Sequence, residues 1–230
     1  MTKNNRIWIY SFVVMGILIM TASGCEKKTD NPGDTTVYES VTIGTQVWML
    51  KNLNVTKYRN GDAIANVTDS VQWSNLTTGA YCNYDNISAN ADTYGRLYNW
   101  YAVNDSRNIA PTGWHVATDA EWTTLTTYLG GLSVAGGKLK EAGITHWNSP
   151  NFRATNSSGF TALPGGCRLY FGAFYLRGDF AYFWTSSEAP YSETHYNNTS
   201  WYRQLIAQEE EVISGAFTIG NAFSVRCIKD

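Results

Sequence analysis

The 230-residue chain carries 17 Lys and Arg against 19 Asp and Glu, a formal net charge of −2, and only 16% of its residues are charged. That balance leaves no basic face for a nucleic-acid partner. Aromatic residues reach 14%, nine of them Trp, so the chain either fills a large core with rings or displays rings at a binding face.

Lys3 and Arg6 give a positive start, and the run IWIYSFVVMGILIM from Ile7 to Met20 is apolar apart from Ser11 and Gly16. It is shorter than the roughly 20 residues that span a bilayer as a helix, which fits the core of a signal peptide better than a permanent anchor. Ala22, Ser23 and Gly24 then lead into Cys25 in a pattern that resembles a lipobox, although Ala22 stands where leucine is usual. Residues 1–24 are therefore expected to be a lipoprotein signal peptide, with Cys25 lipidated and held at a membrane. An ordinary cleaved signal followed by a chance cysteine is the alternative. Losing Lys3 and Arg6 would leave the mature chain at a net charge of −4. Residues 25–36 are polar, include Pro32 and Gly33, and bury nothing, so they read as a flexible tether. One domain is expected over residues 37–230, since no linker-like stretch divides it.

The domain opens on Val41–Ile43, a Gly44-Thr45 turn and Gln46–Leu50, which predicts a hairpin. In YGRLYNWYAV the rings Tyr94, Tyr98 and Tyr101 recur with Leu97 at spacings that suit a short helix or a strand. GWHVATDAEWTTLTTYLGG predicts a helix. Thr118 caps it, Glu121 reaches back to close a capping box, Trp122, Leu125 and Leu129 share a face, and Gly130-Gly131 ends it. Trp114 and Trp122, which flank this element, are expected in the core. From Ala135 one further helical turn is expected. The pattern then changes to short aromatic strands between glycines, in FTALPGGCRLYFGAFYLRGDFAYFWTSS, SWYRQLIA and AFSVRCIKD, with Glu209-Glu210-Glu211 as a solvated turn. Strands that follow helices without alternating with them indicate an α+β fold.

VTIGTQVWMLKNLNV, YGRLYNWYAVND, APTGWHVATDAEWTTL, GGKLKEAGITHWNSPN, ATNSSGFTALPGG and FSVRCIKD together resemble the successive motifs of the Fibrobacter succinogenes major paralogous (FISUMP) domain. The resemblance covers nearly all of residues 41–230. It implies a C-type lectin-like fold, distantly related to the formylglycine-generating enzyme domain, and an exported protein or outer-membrane lipoprotein of the cell envelope. It implies no settled activity. Three cysteines follow Cys25, and their spacing alone does not choose a pair; the family resemblance implies a Cys82–Cys227 disulfide with Cys167 free, and Cys167–Cys227 as the alternative.

The sequence offers little for catalysis. His115, His146 and His195 are far apart, no C-x-x-C or H-x-x-x-H occurs, and neither a metal nor another cofactor is expected. Glu188-Ala189-Pro190 and Trp201-Tyr202-Arg203 lack the paired oxygens of a sugar-binding calcium site. Asn86, Ser88, Asn90 and Asp92 place oxygens at alternate positions but read better as a polar turn. The formylglycine-generating chemistry needs two reactive cysteines late in the domain, and only Cys227 lies there.

Rings in a polar setting remain. Tyr182, Trp184, Tyr191, Tyr196 and Trp201, with Asn197, Asn198 and Arg203, are the candidate ligand set, since rings stack on the C–H face of a sugar while the amides and guanidinium bind hydroxyls or an acidic group. The competing reading puts Trp184 and Trp201 in the core. The sequence thus suggests a non-enzymatic binding or adhesion module for a glycan or a surface protein, acting through the loops between about Gly165 and Trp201. A structural part of the envelope is the alternative, and a divergent enzyme is disfavoured.

Overall fold

A computed structural model describes residues 36–194 and 197–230. The first hairpin forms as expected: β1 (Ser40–Ile43) and β2 (Gln46–Met49) pair antiparallel across Gly44, which sits at φ 62°. Short elements follow: β3 (Ala65–Asn66), α1 (Ser70–Ser74), β4 (Ala80–Cys82) and α2 (Ser88–Tyr94). The ambiguous aromatic stretch is both structures in turn. Leu97–Asn99 is β5, and Trp100–Val103 is α3, capped where the Asn99 side chain accepts from the Ala102 amide.

β6 (Trp114–Val116) leads into α4 (Asp119–Tyr128), and the predicted capping box is present. Thr118 Oγ1 accepts from the Glu121 amide at 3.2 Å while Glu121 Oε2 accepts from the Thr118 amide at 2.8 Å. At the far end, Gly131 N–H donates to Thr126 O and Gly130 N–H to Thr127 O, a Schellman closure that both glycines permit at positive φ. Trp122 and Leu125 are fully buried and Leu129 nearly so; Trp114 is buried too. The next helix is longer than expected: α5 (Leu132–Leu139) begins directly after Gly131.

The second half is sheet: β7 (Cys167–Arg168), β8 (Phe174–Tyr175), β9 (Phe180–Ala189), then α6 (Tyr191–Thr194), β10 (Thr199–Ile206), β11 (Val212–Thr218), β12 (Ala222–Val225) and β13 (Cys227–Lys229). A four-stranded sheet runs β1-β2-β13-β6. The larger sheet runs β11-β10-β9-β12-β5-β4-β3, with the β7–β8 hairpin attached to β12. The α+β expectation holds: strand residues outnumber helical ones, and the helices are few and short.

Arg226 is the single residue between β12 in one sheet and β13 in the other. Its guanidinium is buried and has no carboxylate partner among the described residues. Instead it donates to the carbonyls of Met49, Leu50 and Phe160 at 2.7–3.0 Å and twice to Asn52 Oδ1, and it stacks 4.2 Å from the Phe160 ring centre. Lys140 works the same way. Its buried ammonium donates to Phe152 O, Ile206 O and Glu209 O, so its three N–H groups meet three acceptors. Burial lowers this lysine to about 8, with Glu209 and Glu210 pulling the other way. The acidic turn does expose Glu209 and Glu211, but its backbone is docked. Gly137 N–H donates to Glu210 O, and a Cβ on Gly136 would stand 2.4 Å from Glu211 O, which explains two adjacent glycines inside α5.

The closing strand is clasped by His115. Its Nδ1 lies 2.7 Å from Asp230 Oδ1 and its Nε2 2.8 Å from Glu121 Oε1. Partial burial alone would lower the imidazolium, yet the two carboxylates outweigh it and raise the ring above its ordinary value. A raised folded-state pKa means that the clasp contributes fully below the unfolded value near 6.5 and fades as pH climbs through the folded one. We expect His115→Gln to melt below the wild type at pH 5.5 by an amount corresponding to about 1 kcal/mol or less, given the exposure of the pair, and the gap to narrow by pH 8.5. A gap that widens with pH would contradict the clasp.

Candidate functional site

The β7–β8 hairpin carries the densest group of exposed rings in the described chain. Tyr170 is 53% exposed, Phe171 45% and Tyr175 44%, with Leu176 beside them and Val71 on α1. Apolar surface of this kind at a turn tip, rather than scattered singly, marks a contact site. Tyr170 and Phe171 meet edge to face with centroids 5.3 Å apart at 87°, and Phe171 and Tyr175 at 6.2 Å and 72°. The rings therefore form a corner with three differently directed faces.

The rings are exposed because the chain beneath them is fixed. Arg168 is buried, and its guanidinium lies between Trp73 (4.5 Å to the ring centre) and Phe174 (4.8 Å). It donates to Gly172 O in its own hairpin and to Val67 O and Thr68 O in the segment before α1. Gly172 stands at φ 95°, and a Cβ there would come within 2.6 Å of Ser70, so the turn closes onto α1 only with glycine. On the other flank the fully buried Asn221 accepts from the Tyr170 amide and donates to Thr218 O. Trp73 Nε1 donates to Gly220 O, and Gly220 lies under Tyr170. Few degrees of freedom remain for a ligand to freeze.

Several of the ring positions expected to meet ligand do not face solvent. Trp184 is fully buried, its indole N–H donating to Tyr98 O and its ring packed 4.3 Å from Phe223. Tyr182 is buried in the same cluster, stacked on Phe180 and Phe223. Arg203 is 2% exposed, with Nη1 2.7 Å from Asp119 Oδ1 at the start of α4. These three are corrected to structural roles: β9 and the middle of β10 lie inside the sheet with both faces covered. Trp201 is half-buried opposite Ala216. Tyr191, at 58%, and Asn197 and Asn198 are exposed; Tyr196 lies outside the described residues, as does Cys25. Asn198 O accepts from Ile219 N–H, so the turn at 218–221 touches both this polar segment and the Tyr170 hairpin.

Tyr170, Phe171 and Tyr175 were within reach of sequence reasoning. Adjacent residues on a strand point to opposite faces, so a Tyr-Phe pair followed by Gly between two short strands cannot all enter one core.

The cysteine expectation is also corrected. Cys82 lies in β4 opposite Leu97, Cys227 in β13 opposite Val116 in the other sheet, and Cys167 in β7 opposite Tyr175; all three are buried free thiols. Strand pairing places Cys82 and Cys227 in different sheets, and neither is bonded to the other or to Cys167. Burial pushes each thiol up to about 12. Two of the four residues of the 86–92 stretch are engaged with protein: Asn86 Nδ2 donates to Thr68 O, and Asn90 donates to Tyr84 O while accepting from Arg177. Among the described residues no three His, Cys, Asp or Glu side chains gather as a metal would require, and no helix is long and apolar enough to cross a membrane.

The family model for the Fibrobacter succinogenes major domain matches residues 41–229 of the chain. Neither a curated protein nor a solved structure matches it.

Proposed function

We propose that this chain, which belongs to the Fibrobacter succinogenes major domain family, is a binding module that takes a glycan on the ring corner of Tyr170, Phe171 and Tyr175. The observation that carries the reading is a set of exposed rings on a hairpin that Arg168 and Asn221 hold rigid from beneath. Rings on a braced backbone, with only two χ angles each, offer the C–H faces of a sugar a surface at low entropic cost. Because the three rings stand at steep mutual angles, the corner suits a chain end or branch better than a long flat strand of sugar. Tyr191, Asn197 and Asn198, joined to the hairpin through the 218–221 turn, supply hydroxyl-binding groups at its margin. We read the α+β architecture as C-type lectin-like and the chain as lipid-anchored through Cys25 in the outer membrane. On that reading the corner stands in the cell envelope, facing the periplasm or the exterior, with no catalysis. Three thiols held neutral by burial support the last point, since a cysteine nucleophile acts as its thiolate.

A glycan array with the mature protein tests this. We expect selective binding that falls about tenfold in Phe171→Ala and in Tyr170→Ala, about 1.4 kcal/mol each, with Trp201→Phe affecting it far less. Absence of binding to any glycan, together with stoichiometric recovery of one envelope protein, would favour a structural role in its place.

A further inference from the structure

The long edge of the larger sheet is left open. β11 pairs with β10 on one side and, among the described residues, with no strand on the other. Its seven residues, VISGAFT, include no charge and no proline, and its register with β10 runs without a bulge. Sheet edges are ordinarily shortened, charged, kinked or covered, because free N–H and C=O groups invite another strand. The other edges here follow that rule: β3 has two residues, β6 has three and carries the clasped His115, and β1 has four next to the Glu39–Lys51 ion pair. Among the described residues, β11 is the edge strand that is long and free of charge, proline and bulge.

Which groups point outward follows from the ladder. Ile219 N–H donates to Asn198 O, and these two residues continue the β10–β11 register. Alternation along an antiparallel pair then turns the backbone groups of Ile213, Gly215 and Phe217 toward β10, and those of Ser214 and Ala216 away from it. The turn at 208–211 docks on α5, which also packs against β11, while Ser214 in the middle of the strand is exposed.

We propose that β11 pairs antiparallel with β11 of a second copy of this chain, about a two-fold axis at Gly215. The strand is self-complementary in that register. Ser214 meets Ala216 of the second copy in hydrogen-bonded pairs on both sides of the axis, so all four outward N–H and C=O groups of these two residues in each copy are satisfied. Ile213 faces Phe217 of the second copy, a branched-aromatic pair formed twice. Both are only half-buried in one chain, so pairing covers apolar surface as well as backbone. Gly215 meets its own counterpart at the narrow, non-hydrogen-bonded position. The Tyr202 ring already lies where a Cβ on Gly215 would stand, so the two rings come together on one face at the axis. No charged residue opposes its own copy. Shifting the register by two residues in either direction breaks the Ile213–Phe217 pairing. The contact is isologous and closes on itself, which gives a dimer and not a filament. It would set two ring corners on one particle, whether or not those corners bind a glycan.

The mature lipoprotein, measured in detergent by sedimentation with the bound detergent mass removed, tests this. We expect a dimer, and Ala216→Pro is expected to raise its dissociation constant at least tenfold while leaving the circular dichroism unchanged. Proline at an outward edge position removes only the N–H that reaches the second copy. In a second arm that does not rely on that variant folding, the Ser214→Cys/Ala216→Cys double variant is oxidised in intact membranes. A covalent dimer on a non-reducing gel is expected. A wild-type monomer at the highest concentrations reached, or a dimer that neither cross-links nor weakens in Ala216→Pro, would overturn the proposal.

Discussion

Arg226→Met is expected to lower the unfolding free energy by about 3–5 kcal/mol. The substitution keeps the apolar stem but strands the carbonyls of Met49, Leu50 and Phe160 and the Oδ1 of Asn52, all served by one buried guanidinium. Each buried acceptor left alone costs about 1–3 kcal/mol, and burial of the methionine side chain returns only part of that. The position also explains the size. Arg226 is where the backbone leaves the larger sheet and enters the smaller one, so what loosens there loosens the junction of both. For a domain of this length the loss corresponds to a melting point lower by roughly 6–20 °C. Arg226→Lys would recover part of it, since a point ammonium cannot span the same acceptors or stack on Phe160. Denaturant unfolding measures both; a loss below 1 kcal/mol in Arg226→Met would mean that the junction is held by something else.

Arg168→Met should separate stability from binding. The same chemistry recurs there: a buried guanidinium with no carboxylate partner among the described residues, donating to Gly172, Val67 and Thr68 carbonyls and filling the gap between Trp73 and Phe174. Losing it is expected to cost about 2–4 kcal/mol, which a domain of ordinary stability survives. Every ring of the corner remains, but the hairpin that carries them loses its tie to the segment before α1. Ligand affinity should then fall by tenfold or more, because ordering of the hairpin is charged to the binding step. The measurement is a binding isotherm beside a melting curve. Full affinity in a folded Arg168→Met protein would show that bracing is irrelevant to the site.

Buried cations on backbone carbonyls explain why much of this fold was hidden in the sequence. Lys140, Arg168 and Arg226 occur in KLKEAG, CRLYFG and VRCIK, where each looks like an ordinary surface charge; only the folded loops show which carbonyls they serve. Local signals did better. Thr118 and Glu121 declared the start of α4, Gly130-Gly131 its end, and the β1–β2 turn was plain from Gly44, because each depends on neighbours within a few residues. The ring set failed for a different reason. Tyr182 and Trp184 do share a face of β9, as alternation requires, but Phe183 on the opposite face is buried as well, so the strand has no wet side to reveal. Arg203 suggested a ligand contact by its polar neighbourhood in sequence, yet it reaches Asp119 from 84 positions away. The neutral, separated cysteines likewise depend on strand order, which pairs Cys227 with β6 and Cys82 with β5.

The ring corner is tested most directly by saturation-transfer and intermolecular NOE spectroscopy of the mature protein with the tightest glycan from the array. Contacts between sugar C–H protons and the aromatic protons of Tyr170, Phe171 and Tyr175 are the predicted result. Contacts confined to rings elsewhere, with those three unperturbed at saturation, would contradict it.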